Sequence, residues 1–166
     1  MFERIFSPRR ILLVTGALLL VLFAIGWATR QNPDDKPYIR IVGGGFIFNY
    51  RIADVHYGFT AVVQRPLPAG SIVEASFEDP SGGEAHIVRQ RLTGAKSTRF
   101  AMRSPPVRGV EAGKPYHVAL RVFDREEKSL LWSHEQDFRT QISDDVAPEV
   151  PLTVGPGYAR NPETGG

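Results

Sequence analysis

The segment from Ile11 to Ala28 constrains this chain most, because it contains no charged residue. It reads ILLVTGALLLVLFAIGWA, and only Thr15, Gly16 and Gly26 interrupt the apolar run. As a helix it would measure roughly 27 Å, close to the ~30 Å hydrocarbon core of a bilayer. A helix that is apolar on every side needs lipid or a large protein around it, and 166 residues do not provide the second. The segment 11–28 therefore predicts a transmembrane helix.

The end of this segment leaves a second interpretation open. Gly26-Trp27-Ala28 has the small-x-small pattern that signal peptidase accepts, and basic residues precede the apolar run. The run is longer than the ~7–15 apolar residues of an ordinary signal peptide, which favours a retained anchor. A cleaved signal peptide remains the alternative.

The charges beside the helix predict its orientation. Arg9 and Arg10 directly precede the apolar run. Three basic residues are spread along the chain after it: Arg30, Lys36 and Arg40. Because basic residues collect on the cytoplasmic side, we expect residues 1–10 in the cytoplasm and the rest of the chain across the membrane. In a bacterium, this gives a single-pass inner-membrane protein with a periplasmic C-terminal domain.

Composition excludes several classes of site. The chain has no cysteine, which rules out disulfides, thiolate metal sites and a cysteine nucleophile. After the first ten residues, 17 basic and 17 acidic residues remain. The body of the chain is therefore neutral, which disfavours nucleic acid as a partner.

The chain after a polar linker at 29–37 has the period of β-strands. Apolar and polar residues alternate in runs that Gly/Pro turns separate. The alternation changes phase near Ala53-Asp54, which predicts a bulge or bend, and DPSGG at 79–83 predicts a hairpin turn. Seven strands within residues 38–142 predict an all-β fold of two antiparallel sheets.

The predicted hairpin brings charges of opposite sign together. Its two strands place Glu74 and Glu78 opposite Arg89 and Arg91. Such cross-strand pairs contribute only ~0.2–1 kcal/mol each. We therefore expect ion pairs here that support the register of the hairpin.

A short motif sharpens the fold prediction. The sequence VEAGKPY at 110–116 has an apolar residue, then Gly113 three positions on, then Tyr116 three further. It resembles the tyrosine corner of immunoglobulin-like and fibronectin type III domains, in which the Tyr hydroxyl bonds to the upstream backbone. The resemblance implies a seven-stranded immunoglobulin-like sandwich over residues 38–142. It implies no activity, since such folds host many functions.

The sequence contains no recognisable catalytic or metal-binding signature. GGGF at 43–46 lacks the spacing of a phosphate-binding loop, and neither G-x-S-x-G nor H-E-x-x-H occurs. The four histidines have no metal-ligand spacing: His56, His86, His117 and His134. We therefore predict a protein that is not an enzyme, with no cofactor, no metal and no small-molecule substrate.

Two segments are candidate interaction surfaces. The stretch from Ala85 to Val110 contains six basic residues and no acid: Arg89, Arg91, Lys96, Arg99, Arg103 and Arg108. Residues 143–166 are rich in proline and glycine, which predicts an extended tail. That tail also carries Leu152, Val154 and Tyr158, which suits a docking peptide. On this view, deleting residues 144–166 weakens a partner interaction without unfolding the domain.

These observations predict a non-catalytic accessory or scaffolding subunit that binds another envelope protein. The alternative is a module that binds an envelope polymer, such as peptidoglycan or an anionic glycan. Binding of that kind needs exposed aromatic rings. Phe46, Tyr50 and Tyr57 are its candidates, although period-2 aromatic residues ordinarily form a core.

Overall fold

The computed structural model of the chain describes residues 8–30, 36–92 and 99–164. The chain divides into two compact units, Met1–Lys36 and Pro37–Gly166. Within the described residues, the first unit contains one helix, and the second contains antiparallel strands with short 3-10 turns.

Helix α1 spans Pro8–Ala28 and has no buried residue. It begins at Pro8, whose fixed φ and missing N–H suit the first turn of a helix. Its 21 residues are long and apolar enough to cross a membrane. Since a signal sequence passes the same test, the helix is consistent with either a membrane anchor or a signal sequence.

The second unit contains two larger sheets and one small one. Its strands are β1 (Ile39–Asn49), β2 (Asp54–Val63), β3 (Ile72–Phe77), β4 (His86–Arg91), β5 (Arg99–Arg103), β6 (Pro115–Phe123), β7 (Leu130–Arg139), β8 (Thr153–Val154) and β9 (Ala159–Arg160). Sheet A has the order β1-β2-β5, sheet B has the order β4-β3-β6-β7, and β8 pairs with β9. Every pairing is antiparallel. The all-β antiparallel prediction is confirmed, and the strand number differs from it by the C-terminal pair.

Sheets A and B share one hydrophobic core. Period-2 alternation places one face of each central strand inside, as the sequence predicts. Eight inward residues of β2 and β6 are buried: Val55, Tyr57, Phe59, Ala61, Tyr116, Val118, Leu120 and Val122. Aromatic rings join the two sheets, with centroids 5.3 Å apart for Tyr57 and Phe77 and 5.5 Å apart for Phe46 and Tyr116. Such ring pairs add stabilisation beyond the area that they bury.

The change of phase predicted near Ala53 is a turn between β1 and β2, in which Ala53 adopts a φ of 55°. A separate irregularity lies within β1, where the register shifts between Ile41 and Gly43. With this bulge, β1 continues as one strand from Ile39 to Asn49.

Two glycines in sheet A are required by close approach. A Cβ on Gly44 would collide with the Phe138 ring of β7 and with the Gly58 carbonyl. A Cβ on Gly58 would collide with the backbone of Met102 and Arg103 in β5. Glycine at these positions therefore sets how closely β1, β2, β5 and β7 pack.

The Tyr116 side chain is fully buried and bonds to the connection that precedes its strand. Its hydroxyl accepts a hydrogen bond from the Glu111 N–H at 2.7 Å and donates one to the Gly109 carbonyl at 3.3 Å. Gly113 lies between Glu111 and Tyr116 in the sequence and has a φ of 79°, which glycine adopts without strain. The β5–β6 connection is thus fixed to the core by one side chain.

The C-terminal segment has more structure than its composition predicts. It contains 3-10 turns at Asp144–Val146 and Pro162–Thr164 besides the β8–β9 pair. The Asp144 carboxylate accepts the Gly109 N–H at 2.7 Å, and Ala147 is buried in the core. Deleting residues 144–166 would therefore remove part of the fold, and not only the segment that the sequence predicts to dock.

We predict that Tyr116→Phe lowers the free energy of unfolding by about 1–3 kcal/mol, because it leaves two backbone groups without their partner. Urea denaturation of the full chain in mild detergent, followed by near-UV circular dichroism, measures this. Tyr50→Phe is the control, since Tyr50 is exposed. Equal stability of the two variants would contradict a structural role for the Tyr116 hydroxyl.

Candidate functional site

The predicted basic stretch does not form one surface. Arg89 and Arg91 lie on β4 of sheet B, whereas Arg99 and Arg103 lie on β5 of sheet A. Arg108 follows in the β5–β6 connection. Lys96 lies outside the described residues. The stretch therefore separates into groups with different surroundings.

Arg89 belongs to an ion pair within sheet B. Its guanidinium contacts the Glu74 carboxylate at 2.7 Å, and Arg121 lies 3.7 Å from the other carboxylate oxygen. The Glu74 side chain is only 7% exposed, so Arg89 balances a carboxylate that has lost most of its water. The predicted Glu74–Arg89 pair is confirmed.

Arg91 and Arg108 bond to backbone carbonyls. Arg91 donates to the carbonyls of Gly70 and Arg125, which corrects the predicted pairing with Glu78. The Glu78 carboxylate instead accepts the His117 N–H at 2.7 Å. Arg108 donates to the carbonyls of Ala53 and Pro148. These bonds give both arginines a role in holding loops together.

Arg99 and Arg103 lie on the outer face of sheet A. The register of the sheet places side chains there in three rows: Arg40–Val62–Arg99, Gly43–Thr60–Ala101 and Gly45–Gly58–Arg103. Three of the six positions in the second and third rows are glycine, and the others are Thr60, Ala101 and Arg103. Among the described residues, no carboxylate lies within ion-pair distance of Arg40, Arg99 or Arg103.

These rows form a shallow cavity of about 680 Å³ that we call the glycine groove. Its lining runs across all three strands of sheet A: residues 43–47, 58–60 and 101–103. Arg103 is its one charged lining residue. The groove is thus an apolar surface beside a cationic edge.

His56 lies on the same outer face, opposite Ile47 in the register. It is 9% exposed, and its Nε2 is buried without a hydrogen-bond partner among the described residues. Burial lowers the pKa of His56, and the positive charge of Arg103 lowers it further, against an opposing effect of Asp54. The sequence gives no sign of this, because His56 there is one of four scattered histidines.

The tail residues predicted to dock are exposed and held against the β1–β2 turn. The Thr153 N–H and hydroxyl both donate to the Arg51 carbonyl, and the Arg51 guanidinium lies 5.6 Å from the centre of the Tyr158 ring. These contacts bring together two segments that carry five exposed apolar side chains, which we call the C-terminal apolar surface: Tyr50, Ile52, Leu152, Val154 and Tyr158. Their exposed fractions run from 41% to 59%.

The aromatic residues proposed for polymer binding are mostly in the core. Tyr57 is fully buried, and Phe46 stacks on it with a centroid distance of 4.6 Å. Tyr50 alone of the three is exposed, at 42%. Because such binding needs exposed aromatic rings, Tyr57 is excluded as a candidate and Tyr50 remains one.

Among the described residues, no three His, Asp or Glu side chains are arranged so that they could hold a metal ion. His117 lies between two carboxylates of β7, at 3.7 Å from Glu135 and 3.1 Å from Asp137. All three side chains are about half exposed or more. Ion pairs of this kind on a solvated sheet face contribute little to stability.

Comparison with known proteins identifies no family for this chain. No family model matches the chain, and no curated protein matches its sequence. Among solved structures, a Bacteroides uniformis β-glucuronidase is similar over 61% of this chain and 13% of that chain, with 17% identity and a TM-score of 0.37. The chain thus spans a small part of that enzyme, and a likeness at this level carries no argument about function.

We predict that Arg89→Ala lowers the free energy of unfolding by about 1.5–3 kcal/mol, since it removes the closest charged partner of the buried Glu74 carboxylate. Urea denaturation in mild detergent measures the change. Arg139→Ala on β7, an exposed position, is the matched control. A loss no larger than that of the control would show that Arg121 and water satisfy Glu74 alone.

We predict that His56 makes the fold less stable as the pH falls below about 6.5, because the unfolded chain then takes up a proton that folded His56 resists. Its contribution is complete above that pH and is lost as the pH falls through the lowered pKa of the folded state. His56→Gln should flatten this dependence in urea denaturation from about pH 8 to about pH 5. His134→Gln, at an exposed position, should leave it intact. The same slope in both variants would contradict the prediction.

Proposed function

We propose that this chain is a single-pass protein of the bacterial inner membrane whose periplasmic immunoglobulin-like domain is a non-catalytic accessory or scaffolding subunit. The domain binds another envelope protein through the C-terminal apolar surface. The observation that carries the proposal is the set of five exposed apolar side chains that hydrogen bonds hold in place at the β1–β2 turn.

The anchor is supported by the length and composition of α1 and by the charges that flank it. Its 21 residues match the thickness of a bilayer at ~1.5 Å per residue. Arg9 and Arg10 lie at its beginning, which favours a cytoplasmic N-terminus. Retention of the helix is supported by an apolar run longer than that of a signal peptide.

The immunoglobulin-like assignment is supported by strand order and by Tyr116. The connections β2–β3, β4–β5 and β5–β6 each pass from one sheet to the other, as in Greek-key sandwiches. Tyr116 opens the penultimate strand of the two larger sheets and bonds to the backbone of Glu111 and Gly109. This is the arrangement that a tyrosine corner has.

Protein binding is supported by the character of the C-terminal apolar surface. Exposed apolar side chains scattered singly are ordinary, but a gathered group of them is typical of interaction sites. Leu152, Val154 and Tyr158 project from a segment whose backbone is already fixed, so little conformational entropy is lost on binding. The arginines at 51 and 108 hold this segment by cation–π contact and hydrogen bonds.

We expect the double substitution of Leu152→Asp and Val154→Asp to abolish recovery of a partner complex while the domain stays folded, because both side chains are exposed. The measurement is affinity purification of the full-length protein from native membranes in mild detergent, with quantitative mass spectrometry. Ile87→Asp on β4 is the matched control, since Ile87 is also exposed. Recovery of the same complex by all three proteins would refute this binding surface.

A further inference from the structure

Three outward positions of the glycine groove have no side chain: Gly43, Gly45 and Gly58. Gly58 is required by close approach to β5, as described above, whereas Gly44 faces the core. Gly43 lies at the bulge in β1, and a Cβ on Gly43 or Gly45 would meet nothing within 4 Å. Glycine inside a strand often marks a place where another backbone approaches closely. The groove is therefore shaped for a segment that lies flat against sheet A.

The charges around the groove define the chemistry of that segment. Arg40, Arg99 and Arg103 border the outer face, and their charges have no carboxylate partner among the described residues. Val42 and Ile47 are exposed beside them, at 40% and 48%. A fitting segment combines apolar side chains for the floor with carboxylates for the arginines.

The C-terminal segment of the same chain has this composition. Beside the C-terminal apolar surface, it exposes the side chains of Asp145, Val146, Glu149 and Val150, which alternate carboxylates with apolar groups. We call residues 145–154 the acidic ridge. Arg108, Asp144, Asp145 and Glu149 line a cavity of about 440 Å³ at its base. Carboxylates outnumber arginines around this cavity, whereas the charged residues that border the glycine groove are arginines.

We propose that the acidic ridge of one copy docks into the glycine groove of a second copy. The inference rests on the proposed function, since it names the partner of the C-terminal surface as another molecule of this chain. The apolar side chains at 146, 150 and 152 cover the floor of the groove, and the carboxylates at 145 and 149 face Arg99 and Arg103. The ridge and the groove are different surfaces, so the contact is heterologous and generates a ring or an open chain of subunits.

Cysteine cross-linking tests the contact directly, because the natural chain has no cysteine. Gly43→Cys and Val150→Cys copies of the full-length protein carry different tags and are mixed in mild detergent with a short bismaleimide. We expect a cross-linked pair that contains both tags. Gln90→Cys on β4 replaces Gly43→Cys in the control mixture, in which the pair should be several-fold weaker. Equal cross-linking in the two mixtures overturns the proposal.

Charge reversal provides a second test that does not depend on cross-linking. Reversing Arg99 and Arg103 to Glu, or Asp145 and Glu149 to Lys, should each weaken self-association at least about tenfold, because like charges then face each other. Light scattering of the detergent-solubilised protein over a range of concentrations measures this. Mixing the two reversed proteins should restore association. Failure of the mixture to associate, or a monomeric parent at every concentration, overturns the proposal.

The outcomes separate this inference from the proposed function. A parent that does not self-associate but still recovers another membrane protein through Leu152 and Val154 retains the proposed function and loses the inference. Cross-linking of position 150 to position 43, with no other protein recovered, supports self-assembly and removes the accessory role. Cross-linking between position 43 of one copy and position 43 of another shows a symmetric contact and overturns the ridge-in-groove arrangement.

Discussion

Two buried tyrosine side chains connect the interior of the second unit to the loops at one of its ends. The Tyr57 hydroxyl donates to the Glu78 carbonyl at 2.6 Å, and the Tyr116 hydroxyl bonds to Glu111 and Gly109. Burial raises the pKa of Tyr57, and the charges of Glu78 and Asp79 raise it further, so its hydroxyl keeps the proton that it donates. The C-terminal segment bonds to the loop that Tyr116 fixes, since the Asp144 N–H donates to the Val110 carbonyl. The carboxylate of Asp144 reaches the N–H of Gly109 next to one of these bonds. The Tyr116 hydroxyl thus supports the loop to which the C-terminal segment, and with it the proposed binding surface, is attached.

At this end of the second unit, polar and apolar groups have different roles. Backbone hydrogen bonds and arginines hold the segment in place, and the apolar side chains are left facing water. Arg108 bridges the β1–β2 turn and the C-terminal segment, through the carbonyls of Ala53 and Pro148. The carbonyl partners of Arg108 carry no net charge. The positive charge of Arg108 is therefore also available to the carboxylates of Asp144, Asp145 and Glu149, which line a cavity with it. A segment that is fixed in this way presents its surface without first having to fold, which reduces the entropic cost of association.

The strands were predictable from the sequence because period-2 alternation reports directly on burial, as in the run from Val55 to Ala61. The Glu74–Arg89 pair was predictable because a short turn fixes the register of β3 and β4. The bulge in β1 was not, since residues 43–45 have no side chains to report a phase. The placement of the C-terminal segment was also hidden, because it depends on a contact between Thr153 and Arg51, which are 102 residues apart. The proline and glycine content of this segment predicts an extended chain, but it does not indicate which surface of the domain the segment contacts. The lowering of the His56 pKa by Arg103 was hidden as well, because Arg103 lies on another strand.

The long separation of Arg51 and Thr153 has a consequence for biosynthesis. A contact between residues so distant in sequence forms late, because the intervening strands have to be in place before it can close. During synthesis, the β1–β2 turn emerges long before the residues that complete the C-terminal apolar surface. A nascent chain therefore displays Tyr50 and Ile52 without Leu152, Val154 or Tyr158 beside them. On the function that we propose, only chains translated past Tyr158 present the finished surface to a partner.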